Sequence, residues 1–331
     1  MMDAERKKNW TEINMHKITV KVAKPYDVIV GDNLLKDCGK YITDIDKKLQ
    51  KVLLVSETNV APLYLDLAKT SLEEAGLAVV TYVFDAGEQS KNIETITKML
   101  GLMAVNQFTR TDAVVALGGG VTTDMSGFAA SIFLRGIKVY QMPTSLLAQV
   151  DASVGGKTGI DLKEGKNLVG AFHQPSLVLA DTSLLKSLKP ETFTEGMAEV
   201  IKMAFISDKN LYETLKTKVT QDSANLEDVV ARCVELKAYV VEQDEKDNGL
   251  RQTLNFGHTI GHVIERDSNF TLSHGFAVAR GMMRISKKSP ILPELEEMLK
   301  LYEFPYEDNT SEDDIIAGIM NDKKKRGSTI T

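Results

Sequence analysis

Three of the chain's five histidines fall close together. His258 and His262 lie in the run Leu254 to His262, and His274 lies between Ser273 and Gly275. Neutral imidazole is the commonest metal ligand, so this stretch is a candidate metal centre. His258 and His262 are four apart, which puts both on one face of a helix. A carboxylate on a facing helix would complete a three-ligand set with an open position, the plan of a catalytic zinc. The best candidate is Glu199, whose neighbours Met197, Ala198, Val200 and Ile201 are apolar and turn it inward. Lys202, three residues on, can share its face. Spacing alone leaves open whether His258 and His262 bind as a pair.

The elements that must position these groups fall into two kinds. Residues 16–31 alternate as strand, Lys51–Ser56 is a short apolar strand, and an amphipathic helix runs on to about Ala75, stopped by Gly76. Ala78–Phe84 is a strand, Asp85–Lys91 a polar loop, and a helix follows to about Val105. Asp112–Leu117 is a buried strand that enters Gly118-Gly119-Gly120, with a helix over Thr122–Ser131 and a strand over Ile137–Met142. This alternation predicts a parallel sheet covered on both faces. From Glu191 the pattern is helical, with polar breaks near Ser207, Gln221 and Asp247. The fold class expected is α/β plus all-α: a Rossmann-like nucleotide-binding domain over 1–180 and a helical metal- and substrate-binding domain over 181–331.

A buried strand, three glycines and a helix N-terminus build an anion site, because glycine admits a phosphate to the backbone and the helix end offers free N–H groups. The run is not GxGxxG, and a tight turn alone would also explain it. The loop Gly87-Glu88-Gln89-Ser90-Lys91 follows the preceding strand; together the two favour a dinucleotide across the strand ends. Further on, Pro143, Thr144 and Ser145 make a helix-start signal. Gly155-Gly156 forces a turn, and Lys157 and Lys166 flank the hairpin after it, where lysine can meet phosphate as a point charge.

The formal net charge of −6 argues against a broad nucleic-acid surface. Cys38 and Cys233 have no metal spacing and read as reduced, buried thiols. The stretch Met1–Trp10 is charged without an apolar core, unlike a secretory signal, and no apolar run reaches the ~18–20 residues of a membrane span. A soluble, cytoplasmic protein is expected, with no membrane or nucleic-acid partner. The last ten residues, basic and polar, are expected to be mobile.

Six motifs occur in order: Gly118–Val121, Gln149–Thr158, Gly165–Pro175, Gly196–Lys202, Arg251–His262 and Ser273–Gly275. Together they resemble the 3-dehydroquinate synthase family of the sugar-phosphate cyclases, over about residues 16–325. The resemblance implies an N-terminal Rossmann-like domain, a C-terminal helical domain and an active site in the cleft between them. It implies metal ligands at Glu199, His258 and His274, which makes His262 a substrate-side or proton-transfer residue. Catalytic and substrate contacts fall on Lys157, Lys202, Lys237, Arg251, Asn255, His262, Asp151 and Asn167, with Arg135 and Lys324 for phosphate. Cofactor contacts fall on Gly87, Glu88, Gln89, Ser90, Lys91, Gly119, Gly120, Val121, Asp124, Thr144, Ser145, Asp151, Lys157, Lys166, Leu184 and Ser187.

The implied activity is that of a phosphorus–oxygen lyase of the shikimate pathway. It turns the keto-acid sugar phosphate DAHP into 3-dehydroquinate and phosphate by transient NAD oxidation, phosphate elimination, re-reduction, ring opening and aldol closure. The implied cofactors are NAD and Zn2+, with Co2+ as a substitute; the substrate is a small phosphorylated sugar acid, and the family default is a homodimer. Thr123 stands where the family usually has glycine and Phe276 where glutamate is common, while Met282–Glu303 is shorter than usual. Other readings are a 2-deoxy-scyllo-inosose synthase, which lacks a substrate carboxylate, a polyol dehydrogenase and a non-catalytic homologue. Arg251 and Asn255 favour a carboxylate substrate.

Overall fold

The computed structural model describes residues 15–268, 271–305 and 310–324, with the backbone alone over 321–324. Met1–Trp10 and the chain after Lys324 lie outside the described residues, as does the side chain of Lys324 itself. The strands are β1 (His16–Val20), β2 (Tyr26–Gly31), β3 (Lys51–Glu57), β4 (Ala78–Phe84), β5 (Ala113–Gly118), β6 (Lys138–Pro143), β7 (Lys157–Leu162), β8 (Gly165–Phe172) and β9 (Leu177–Asp181). The first helices are α1 (Cys38–Ile45), α2 (Ala61–Glu74), α3 (Ile93–Val105) and α4 (Gly120–Ile132). Then come α5 (Pro190–Ser207), α6 (Lys209–Leu215), α7 (Leu226–Gln243), α8 (His258–Asp267), α9 (His274–Ile285), α10 (Leu292–Leu301) and α11 (Glu312–Lys324).

The chain divides into two compact units. One holds the residues up to Thr144 together with Ala152–Lys186; the other holds Ser145–Asp151 together with the residues from Ser187 on. The first unit carries a seven-stranded sheet in the order β1-β2-β9-β6-β5-β3-β4. Its strands pair in parallel except β1 with β2, where the short turn after Val20 permits only an antiparallel return. The strand-like stretch 16–31 is thus two strands. Alternation along β3 sorts the core: Val52 and Leu54 join the apolar cluster with Ile42 and Leu72, while Leu53 and Val55 join Met99, Met125 and Phe128. Both faces of the sheet are covered, and β5 is buried along its whole length. A separate antiparallel hairpin, β7–β8, adds Ile160 to the second cluster.

From β3 the chain steps outward to edge strand β4, then returns to the other side of β3 as β5 and continues to β6. The order therefore reverses between β3 and β5, and such a switch point is where open α/β sheets bind ligands, beyond the carboxyl ends of the strands. Gly118-Gly119-Gly120 sits there. The second unit is helical, and a π-turn over Ala148–Ala152 carries its Asp151. Among the described residues no helix is long and apolar enough to cross a membrane.

Candidate active site

In the helical unit, two helix contacts bring the histidines to Glu199. Gly281 of α9 lies against α8 so closely that a Cβ would overlap the Gly257 carbonyl and come 2.8 Å from Gly261 N. Gly275, in the first turn of α9, lies on α5, where a Cβ would overlap the Glu195 carbonyl and come 2.8 Å from its Cα. Only glycine allows backbones this near one another. The result is a knot of three imidazoles: ring centroids are 5.3 Å apart for His258 and His274, 5.6 Å for His258 and His262, and 5.9 Å for His262 and His274.

Glu199 is completely buried on α5. Its Oε1 lies 3.5 Å from His258 Nε2 and 3.8 Å from His274 Nε2. Donor atoms of Glu199, His258 and His274 all fall within 4.8 Å of one another, and His262 is not in that set. Lys202 forms an ion pair with Glu199 Oε2, yet neither carboxylate oxygen accepts a well-directed hydrogen bond. A fully buried carboxylate so poorly satisfied is costly unless another cation joins it. Burial first, then Lys202, His274 and His262, hold the His258 pKa well below its ordinary value, which keeps the ring in the neutral form that binds metal. Burial would lower His274 too, but the carboxylates of Glu265 and Glu199 outweigh it and raise the value. The residues present fit a divalent metal with nitrogen and oxygen ligands.

Around this knot stand buried cations. Lys202 is 1% exposed and Arg251 2%. Arg251 sits on a short 3-10 turn, Leu250–Asn255, and gives a hydrogen bond to the Glu245 carbonyl at 2.9 Å. Asp244 fixes that turn by accepting from the N–H groups of Asn248, Gly249 and Arg251. Lys237 of α7 donates to the Asp151 carboxylate and carbonyl at 2.5 Å each. Burial lowers the Lys237 pKa to about 8 against the opposing pull of Asp151. Burial alone would raise the Asp151 carboxyl, but Lys237 and Lys202 hold it below the usual carboxylate range. Asn255 and His262 are exposed in the same unit.

In the α/β unit, α4 starts at Gly120 with Gly119 as its cap residue and no side-chain cap, so the first-turn N–H groups face outward from the sheet's switch point. Lys91, 5% exposed, donates to Asp124 Oδ2 and Asn167 Oδ1 at 2.7 Å each. Burial would lower its pKa, but Asp124 and Glu88 outweigh it and raise it. Lys166 lies 3.6 Å from Glu88. Asp161 precedes the turn of the same hairpin: it accepts from Asn167 N, and burial raises its carboxyl to about 6. Gly87, Glu88, Gln89, Ser90, Lys91, Asp124, Lys166 and Asn167 thus cluster. Thr123 turns its hydroxyl back to the Gly120 carbonyl at 2.9 Å and is buried, so it leaves the turn clear.

The remaining residues expected at the site are distributed between the units. Thr144, Leu184, Lys157 and Arg135 belong to the α/β unit, while Ser145, Asp151 and Ser187 belong to the helical one. Lys157 and Arg135 are exposed, and Arg135 has a left-handed backbone (φ 69°). Phe276 packs edge-on against Phe304, centroids 5.8 Å apart, so it serves the helix interior. Cys38 and Cys233 are both buried free thiols, and burial pushes each pKa up. Glu265, Asp244 and Asp161 also stand at these clusters, though no sequence motif marks them. For Glu265 a signal existed, since it follows His258 by seven residues, two helical turns.

Two family profiles cover most of the chain: one described as 3-dehydroquinate synthase N-terminal matches residues 81–195, and one described as 3-dehydroquinate synthase C-terminal matches residues 196–325. The 3-dehydroquinate synthase of Lactococcus lactis subsp. cremoris (strain MG1363) is 43% identical over 320 residues, covering 92% of this chain and 90% of the relative. A structure of 2-deoxy-scyllo-inosose synthase with carbaglucose-6-phosphate, NAD+ and Co2+ superposes with TM-score 0.83 at 25% identity, over 93% of this chain and 88% of that one. The 2-epi-5-epi-valiolone synthase of Streptomyces hygroscopicus subsp. jinggangensis 5008, with NAD+ and Zn2+ bound, gives TM-score 0.83 at 26% identity, over 92% and 88%. The parallel-sheet α/β unit and helical unit of this chain are thus the architecture of the sugar-phosphate cyclases. Within that class, the chain belongs to the 3-dehydroquinate synthase family.

Proposed function

We propose that this chain is a working 3-dehydroquinate synthase that converts DAHP into 3-dehydroquinate and inorganic phosphate, with a divalent metal and NAD. The observation that carries the reading is the buried, under-satisfied Glu199 facing the Nε2 atoms of both His258 and His274. A divalent ion held by these three would supply Lewis-acid polarisation of substrate oxygens, and NAD would supply a reversible hydride acceptor.

The protein's own groups do the rest. Glu199, His258 and His274 hold the ion from three separate segments. Arg251, buried and aimed by the Asp244-capped turn, takes the substrate carboxylate as a planar fork, with Asn255 beside it. Lys202 and Lys237 stabilise developing oxyanions from positions that water does not reach. Asp151 keeps Lys237 charged and oriented, and His262 relays a proton on the substrate side. The glycine turn and the Lys91–Asp124 pair build the dinucleotide site, Gly87–Lys91, Gly119–Val121, Thr144, Ser145, Lys166, Leu184 and Ser187 being its contacts by family correspondence. That correspondence adds Lys157, Asn167, Arg135 and Lys324 as anion-binding residues. It also supports division near residue 180, a cytoplasmic homodimer and no nucleic-acid partner.

The test is phosphate release from DAHP with added zinc and catalytic NAD. Phosphate should appear stoichiometrically with 3-dehydroquinate and without net NADH. Net NADH would move the chain to a polyol dehydrogenase, and turnover of a hexose phosphate in place of DAHP would move it to an inosose synthase.

A further inference from the structure

We propose that Glu265 is the positioning residue of the metal centre: it holds His274 in the tautomer and ring orientation that present Nε2 to the ion. This rests on the metal site proposed above. Glu265 is 4% exposed, a carboxylate inside the helical unit. It lies on α8, seven residues after His258, so it shares the helix face that carries His258 and His262. Its Oε2 is 3.6 Å from His274 Nδ1, while His274 Nε2 is 3.8 Å from Glu199 Oε1. The two nitrogens of one ring therefore face two different buried carboxylates.

A neutral imidazole carries one N–H and one lone pair. With the proton on Nδ1 and Glu265 as its acceptor, the lone pair on Nε2 points at Glu199, where His258 Nε2 also points. The opposite tautomer would set an N–H against the metal position and a lone pair against a buried carboxylate, two unfavourable contacts at once. Glu265 touches neither metal nor substrate in this arrangement. It sits on the helix that supplies one ligand and orients a ligand from the next helix, so it also fixes α8 and α9 in register at the site. Such outer carboxylates on ligand histidines generally govern metal affinity by 10–100-fold.

The test compares the wild-type enzyme with Glu265→Gln, Glu265→Asp and Glu265→Met, each stripped with chelator and titrated with Zn2+ against a competing chelator. The order expected is wild type, then Asp and Gln with affinities weakened by about tenfold, then Met weakened further, toward about 100-fold. In Co2+-loaded protein, the visible ligand-field bands should shift in Met and revert toward wild type in Asp. Equal Zn2+ affinity and an unchanged Co2+ spectrum in Glu265→Met, with a normal melt in chelator, would overturn the assignment. Should Glu265→Met not fold, Glu265→Gln, nearly isosteric, decides it: affinity and spectrum both equal to wild type would refute. Wild-type protein that binds no Zn2+ would refute the metal reading itself, a different result.

Discussion

Replacing Gly281 by alanine adds a single methyl where α9 crosses α8. The new carbon would overlap the Gly257 carbonyl and stand 2.8 Å from Gly261 N, both backbone atoms that cannot swing aside. Ordinary contact begins at 3.4 Å, so the helices must part there by at least ~0.6 Å, and by more at the carbonyl. His258 is the residue directly after Gly257, so the push arrives at a proposed metal ligand. Ligand distances tolerate only about 0.2 Å, so zinc affinity should fall at least about tenfold, ~1.4 kcal/mol. Alanine gains up to about 1 kcal/mol in helix propensity, but overpacking costs about 1–3 kcal/mol, so the net result is destabilisation. Gly101 is the control: it is exposed on α3 with nothing within 4 Å of a built Cβ, so Gly101→Ala should stabilise by up to about 1 kcal/mol. Urea unfolding in chelator gives the stability change, and competitive zinc titration gives the affinity. A Gly281→Ala protein as stable as Gly101→Ala, with wild-type zinc affinity, would refute the idea that glycine contact sets the ligand geometry.

Other outcomes follow from the same contacts. His274→Ala and Glu199→Gln should abolish turnover and the rise in Tm that zinc gives to stripped wild-type protein; a metal-free His274→Ala with full activity contradicts the ligand set. Lys237 has a folded pKa of about 8, below its ordinary 10.5. Activity that needs the ammonium should decline above about pH 8, while stability from this group rises between about 8 and 10.5, where the unfolded chain binds the extra proton. The difference between wild type and Lys237→Met in pH-dependent unfolding checks the sign, and a parallel fall of both profiles is the adverse result. Lys91→Met removes the donor to Asp124 and Asn167; unfolding free energy should drop by about 2 kcal/mol and NAD binding by about tenfold, read by urea titration and calorimetry.

The residues with the strongest local signals were readable before the fold was known. Five hydrophobic residues running into three glycines at Gly118 announce a buried strand and turn, and the turn does sit at the sheet's switch point. The clustering of His258, His262 and His274 marks the candidate metal region, but spacing cannot say which two imidazoles meet a carboxylate, because that depends on how α9 crosses α8. Glu265 escaped notice for the same reason: its partner is on another helix. Ser145–Asp151 reads locally as an ordinary helix start after Pro143. Its place among the helices comes from contact with α5, where a Cβ on Gly196 would lie 2.6 Å from the Leu146 Cβ. Thr123 and Phe276 depart from the family pattern, yet one hydroxyl folds into its own helix and one ring finds Phe304.

The helical unit is stitched from two separate pieces of chain, and the shorter one delivers Asp151 to Lys237. A gene cut at Ser187 would look like a clean way to make this half alone. Its product would lack the anion that neutralises an interior ammonium, and an orphaned charge of that kind costs about 3–5 kcal/mol. Fusing or complementing the fragment with a peptide that supplies Ser145–Asp151 is the route to a soluble half-enzyme.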